Sequence, residues 1–225
     1  MGILLLTLIY ICFVSLGLPD SLLGSMWPVL HTEISVPMSF AGTISMLTCF
    51  GTIISSLFSD MLLHRFGAGK VTAVSIAMTA VAMFGFSISS QLWMFWLWAI
   101  PYGLGAGGVD AILNNYVALH YKAQHMSWLH CMWGVGASIS PYIMSFALVR
   151  FDNWSYGCLI IAVIQMILST VIFTSIPSWK KGMTADNEAT QTKSPSFKEI
   201  FTARGAIPCF IAFFAYCSLE LTTSL

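Results

Sequence analysis

Seven long apolar runs alternate with short polar breaks along the chain, at roughly 2–30, 38–59, 71–90, 92–118, 126–149, 154–176 and 205–225. Those at 38–59, 71–90, 126–149 and 154–176 contain no Asp, Glu, Lys or Arg. The first holds only Asp20, the fourth only Asp110 and the last only Glu220. A surface helix of a soluble protein keeps a polar face, and these runs have none. A bilayer-spanning helix needs about 20 apolar residues, so each run is predicted to be one span. In hydrocarbon every backbone N–H and C=O must be paired within the segment, which predicts helices. The period-2 alternation of a transmembrane barrel is missing. The expected fold class is therefore all-α, an integral membrane helical bundle. Met1–Leu18 lacks the basic start and the A-x-A site of a cleaved leader, and its apolar run continues to Leu30. It reads as a first span, kinked near Pro19 because proline removes a backbone donor.

The polar breaks carry the topology. With the N-terminus in the cytoplasm, the inner breaks are 60–70, 119–125 and 177–204. They hold Arg65, Lys70, Lys122, Lys180, Lys181, Lys193, Lys198 and Arg204, leaving only Arg150 outside. That asymmetry fixes the predicted orientation. Residues 177–204 are rich in Ser, Thr, Lys and Pro and read as a cytoplasmic linker, with a short interfacial helix expected near 196–203. The domains expected are a six-span lobe over 1–176, the linker over 177–204, and the start of a second lobe over 205–225. A six-plus-one arrangement suggests a chain ending just after its midpoint.

A repeat runs through the first six spans. Gly51 precedes Arg65-Phe66 by 14 residues, and Gly136 precedes Arg150-Phe151 by 14, an offset of 85. At the same offset the glycines at 103, 105, 107 and 108 overlay the Gly17–Gly24 region. Three helices are an odd number, so two such copies face opposite ways across the membrane. That is the inverted 3+3 repeat of transporter halves.

Composition narrows the function. The chain has 225 residues, 57% apolar and 8% charged, with nine Lys+Arg against nine Asp+Glu. Soluble domains are nearer a quarter charged, and nucleic-acid binding needs a basic face. Neither a soluble enzyme nor a nucleic-acid partner fits. The six cysteines form no C-x-x-C, the five His show no ligand spacing, and no phosphate-binding loop is present; no cofactor, metal or ATP site is expected.

The chemistry left is in the spans. A carboxylate in lipid costs about 2.5–3.5 kcal/mol on insertion scales, so Asp20, Asp110 and Glu220 should face a bundle interior or a wet cavity. A carboxyl there that exchanges a proton is what a proton-coupled carrier needs. Asn114 lies one turn from Asp110, on the same helix face; the pair can bind a solute hydroxyl, or simply join two helices. His130 and Trp133 sit a turn apart in the fifth span. His130 can titrate near neutral pH, and Trp133 and Trp27 could stack on a sugar ring. Trp93, Trp96 and Trp98 suit an interfacial belt.

The segment 56–70, Ser56-Leu57-Phe58-Ser59-Asp60-Met61-Leu62-Leu63-His64-Arg65-Phe66-Gly67-Ala68-Gly69-Lys70, resembles the G-x-L-x-D-R-x-G-R-[RK] signature of the major facilitator superfamily, with about one helical turn inserted before Gly67. The resemblance implies a gating role for Asp60, Arg65, Gly67 and Lys70. Residues 107–117, with Asp110, Asn114 and Tyr116, resemble the fourth span of the fucose/proton symporters and related sugar permeases. Residues 129–137, with His130 and Trp133, resemble the fifth span of that group. In the group the fourth-span acid is linked to proton-coupled sugar binding, so the resemblance implies that role for Asp110, with Asn114, His130 and Trp133 around it. Glu220 resembles an acid early in the seventh span of relatives.

The expectation is a multi-pass secondary transporter of the plasma membrane, not an enzyme. It would move a sugar or similar small polar solute by alternating access, with the proton as coupling ion and the lipid bilayer as its surroundings. The rival readings are an efflux carrier for amphiphilic compounds, favoured by 13 Met, and a truncated membrane protein that transports nothing.

Overall fold

The computed structural model describes residues 2–183, 202–203 and 205–224. Most of the expected linker, with its interfacial helix near 196–203, lies outside the described residues, as do the side chains of Glu220, Lys180 and Lys181. The described residues are helical, without strands, and divide into two compact units, 1–179 and 180–225.

The first unit contains α1 (Gly2–Asp20), α2 (Leu22–Glu33), α3 (Phe40–Phe66), α4 (Ala68–Ser87), α5 (Leu92–His120), α6 (Ala123–Phe151) and most of α7 (Ser155–Met183). The second contains α8 (Ala206–Ser224). The predicted kink is present, since the first span is two helices separated by Ser21. Two expected breaks are not loops. The break at 60–70 is a single residue, Gly67, between α3 and α4. Its φ of +81° lies where an L side chain is strained, so glycine makes that abrupt turn without cost. The linker expected from 177 begins later, because α7 continues through Pro177 to Met183. Trp179 holds that extension: it is buried, packs on Gly69 and against Tyr116, and donates to Ser175 Oγ at 3.1 Å.

Five of these segments are long and apolar enough to span a bilayer: Leu4–Glu33, Phe40–Phe66, Ala68–Ser87, Ala123–Phe151 and Ser155–Pro177. The seven expected from the sequence include two that fall short. α5 has 29 residues, but four glycines, Asp110, Asn114 and Asn115 dilute its apolarity. Its later part is enclosed, with Tyr102, Ala106, Val109, Ile112, Leu113 and Val117 all buried, while Trp93, Trp96, Leu97 and Ile100 near its start are exposed and apolar. In α8 the described apolar stretch is the shorter Ala206–Tyr216.

The repeat is written into the packing. α3 packs along α5, and α6 packs along α1, so the second helix of each copy pairs with the first helix of the other. A Cβ on Gly51 would come within 3.2 Å of the Gly103 backbone, and one on Gly136 within 2.0 Å of the Val14 carbonyl. The Gly136 crossing admits no side chain, and the Gly51 crossing admits one only if the facing backbone gives by a few tenths of an ångström. The ends match as well. Gly67 N donates to Leu63 O at 2.8 Å, and Asp152 N, 85 positions on, donates to Leu148 O at 2.9 Å. Both residues have positive φ, +81° and +52°. Copy one uses glycine there and copy two aspartate, a residue that tolerates the left-handed region.

Candidate functional site

The break in the first span builds the site. Pro19 has no N–H to give to Ser15 O, the acceptor four residues back. That carbonyl accepts instead from Gln165 Nε2 of α7 at 3.0 Å, and Gln165 is fully buried. In a low-dielectric setting a freed backbone acceptor needs such a partner. The carbonyl freed by Pro19 is thus paired, and Asp20 stands at the end of α1.

Two donors from different helices meet the Asp20 carboxylate. Tyr102 of α5 donates its hydroxyl to Oδ1, and Trp133 of α6 donates Nε1 to Oδ2 at 2.7 Å. Tyr102 is buried and Trp133 half-buried. Hydrogen bonds to a charged acceptor are stronger than neutral ones. Asp20 thus ties α1, α5 and α6 together at one point. The crossing of α1 and α6 supports this geometry, because a Cβ on Gly17 would meet the Trp133 carbonyl at 2.1 Å. With glycine there the helices approach closely enough for the indole to reach Asp20.

Asp110 is arranged differently. It is half-buried and accepts from Asn114 Nδ2 at 2.9 Å on its own helix. Asn114 Oδ1 is buried without a hydrogen-bond partner. A buried amide oxygen in that state costs about 1–3 kcal/mol, and a donor arriving with a solute would remove the penalty.

The sequence expectation gathered Trp133 around Asp110, and the indole N–H goes to Asp20 instead. The expectation followed proximity of motifs, and the packing of α6 on α1 turns Trp133 toward the first span. His130, a turn earlier, is exposed, with its ring edge-on to Phe13 at 6.1 Å. Trp27 is buried and donates to Met38 O at 2.8 Å, so it closes the turn after α2 and offers no stacking face. Trp93 and Trp96 are exposed and bonded to Gln91 and Thr43, whereas Trp98, expected beside them, packs over Gly85 against the core. Tyr102 carried no signal beyond its place between Pro101 and Gly103, and it was not among the expected residues.

Of the expected gating residues, Asp60 pairs with His64 at 3.4 Å along α3. The Arg65 guanidinium lies 5.4 Å from the centre of the Phe66 ring. Gly67 makes the turn, and Lys70 is exposed in the first turn of α4.

A family model described as Major Facilitator Superfamily matches residues 9–225. A "Cis,cis-muconate transport protein" of Acinetobacter baylyi is 21% identical over 180 residues, 76% of this chain and 43% of that protein. "Synaptic vesicle glycoprotein 2A" of Rattus norvegicus and of Homo sapiens is 21% identical over 144 residues, 62% of this chain and 19% of each relative. The chain thus spans less than half the length of these curated relatives.

Proposed function

The chain belongs to the Major Facilitator Superfamily, a family of transporters and not of enzymes, and on that premise we propose that it forms one lobe of a proton-coupled carrier for a small polar solute. It is a multi-pass membrane protein, and we place it in the plasma membrane with its N-terminus in the cytoplasm, on the positive-inside asymmetry. The observation that carries the reading is the Asp20 carboxylate, held by Tyr102 and Trp133 where the first span is broken. Broken helices near mid-span are where such carriers bind solute and ion.

In this reading Asp20 and Asp110 are the proton- and solute-binding acids. Asn114 Oδ1 offers an acceptor to a solute hydroxyl, and His130 and Trp133 line the same face of α6. Glu220 of α8 is proposed as a further intramembrane acid of the carrier. Asp60, Arg65, Gly67 and Lys70 serve the conformational change and do not touch solute. A neutral polyol or sugar suits this set better than an anion does. The bacterial relative is named for muconate, a dicarboxylate, and a dianion would meet two acids of its own sign here.

The test is uptake into vesicles carrying the longest reading frame that contains this chain, under an imposed inward pH gradient, with a panel of radiolabelled sugars. Gradient-dependent accumulation is expected, abolished by Asp20→Asn or Asp110→Asn at unchanged protein level. Accumulation that ignores the gradient, or persists in both variants, would refute proton coupling at these acids. Extrusion of amphiphilic dyes without sugar uptake would establish the efflux reading in its place.

A further inference from the structure

A cavity of about 670 Å³ opens between α3, α4, α5 and α7, away from the Asp20 cluster, and is lined by Ile54, Phe58, Phe66, Val74, Met78 and Phe173 among others. Pockets that hold drug-sized ligands run from about 300 to 1,000 Å³, so this one is large enough for a chain-like molecule. Its lining is apolar apart from Ser55, Ser75 and one charged residue, Lys70. Lys70 stands in the first turn of α4, where the helix presents its N-terminal end. Arg65 approaches the same place, with its guanidinium over Phe66, itself a wall of the cavity.

The dimensions are those of one leaflet. From Phe66 to Ile54 the cavity follows 12 residues of α3, about 18 Å at about 1.5 Å per residue. Half of a hydrocarbon core of about 30 Å is about 15 Å. The charged end lies at the α3–α4 turn, where a headgroup would be, and the apolar end reaches toward the bilayer middle. Two cations and a helix N-terminus at the mouth favour a negative group there.

We infer that this cavity is a binding site for an anionic phospholipid of the leaflet on the α3–α4 side, with one acyl chain in the groove and the phosphate at Lys70. The inference rests on the cavity and on Lys70, and does not depend on the proposed solute or its coupling. A bound lipid here would brace α3 and α4 against α7 at the end of the lobe that carries Asp60 and Gly67.

The experiment uses the whole chain, purified, stripped of lipid, and titrated in detergent with dioleoyl-phosphatidylglycerol or dioleoyl-phosphatidylcholine, with native mass spectrometry counting bound lipid. The wild type is expected to retain one phosphatidylglycerol tightly and phosphatidylcholine weakly. Lys70→Ala should cost about fivefold in phosphatidylglycerol affinity, the worth of one basic residue at a lipid surface, and Lys70→Arg should restore it. Val74→Trp should fill the groove and remove both lipids. Val74 is 48% exposed, so the fold should tolerate the larger side chain, which circular dichroism of the variant checks. Equal binding of the two lipids, or full phosphatidylglycerol binding in both Lys70→Ala and Val74→Trp, would overturn the proposal. Oleate binding where phosphatidylglycerol does not bind would likewise overturn it, pointing to a free fatty acid.

Discussion

Gly17→Ala tests how closely the packing of α1 on α6 is tied to the carboxylate cluster. The added Cβ would sit 2.1 Å from the Trp133 carbonyl oxygen and 2.8 Å from Ala137 N, where real Cβ atoms stay beyond 3.0 Å. The obstacle is backbone, so no side chain can swing aside. The helices must part by about 0.9 Å at that crossing. The same displacement along the indole–carboxylate line stretches the 2.7 Å bond from Trp133 to Asp20 to about 3.6 Å, which no longer counts as a hydrogen bond. Overpacking costs about 1–3 kcal/mol, and loss of a bond to a charged acceptor a further 1.5–3, roughly. At about 2–4 °C per kcal/mol for a chain of this length, melting should fall by at least several degrees. The assay is thermal unfolding followed by a thiol-reactive dye, since Cys12 and Cys158 are buried and become reactive on unfolding. Gly134→Ala is the control, because nothing lies within 4 Å of its would-be Cβ and Gly→Ala within a helix gains about 0.5–1 kcal/mol. Equal melting of Gly17→Ala and the wild type would refute the close crossing and the account of how Trp133 reaches Asp20.

Four further outcomes follow from the same coordinates. Gly103→Ala should destabilise as Gly17→Ala does, because its Cβ would lie 2.2 Å from Thr48 O in the matching crossing of α3 on α5; melting unchanged in this variant alone would break the equivalence of the two repeats. Gln165→Leu should cost about 1–3 kcal/mol by leaving Ser15 O unpaired beside Pro19, read as a drop in melting temperature, whereas Gln165→Glu should restore it in part at low pH, where the neutral carboxyl offers an O–H to that carbonyl, and lose the gain on ionisation. Trp133→Phe and Tyr102→Phe should each lower gradient-driven uptake, and the double variant should lose less than the sum because both act on one carboxylate; strict additivity would place them on separate sites. Burial, with a smaller contribution from nearby Tyr10, raises the Tyr121 phenol above its ordinary value of 10. The stability this confers is complete below pH 10 and declines as pH climbs through the folded value, so the Tyr121→Phe difference spectrum at 295 nm should titrate late; a step at the ordinary value would contradict it.

The helices were legible in the sequence because hydrocarbon imposes one rule along the whole chain: apolar for about 20 residues, then a break. The kink at Pro19 was legible for a local reason, a missing donor. The repeat was legible from Gly51 and Gly136 because steric exclusion at a crossing leaves only glycine. What the sequence hid was non-local. Asp20 is 82 positions from Tyr102 and 113 from Trp133, and nothing in those residues announces the pairing. The partner of Ser15 O lies 150 positions away in α7. The abrupt α3–α4 turn is not legible in the polar break at 60–70, because charged residues before Gly67 look the same on a helix end as in a coil.

The pairing becomes intelligible once the inverted packing is taken seriously. The inverted packing lays α6 along α1 and α3 along α5, and it leaves the two starting helices, α1 and α5, close enough for Tyr102 to reach Asp20 directly. Both crossings are made with glycine, which leaves the backbones in contact and the flanking large side chains with nowhere to go but along the groove. Trp133 and Tyr102 are the large residues next to those crossings, one on α6 and one beside Gly103 on α5. The polar group they converge on is the carboxylate at the break of α1. Had Pro19 been absent, α1 would continue as an unbroken helix and Ser15 O would be satisfied within it, leaving Gln165 without its role. Pro19→Ala should therefore stiffen the break and slow turnover in the proposed carrier, with melting little changed, because the helix bond gained at Ser15 O is offset by a buried Gln165 amide left without its partner. A variant that transported at the wild-type rate would show that the break has no part in turnover.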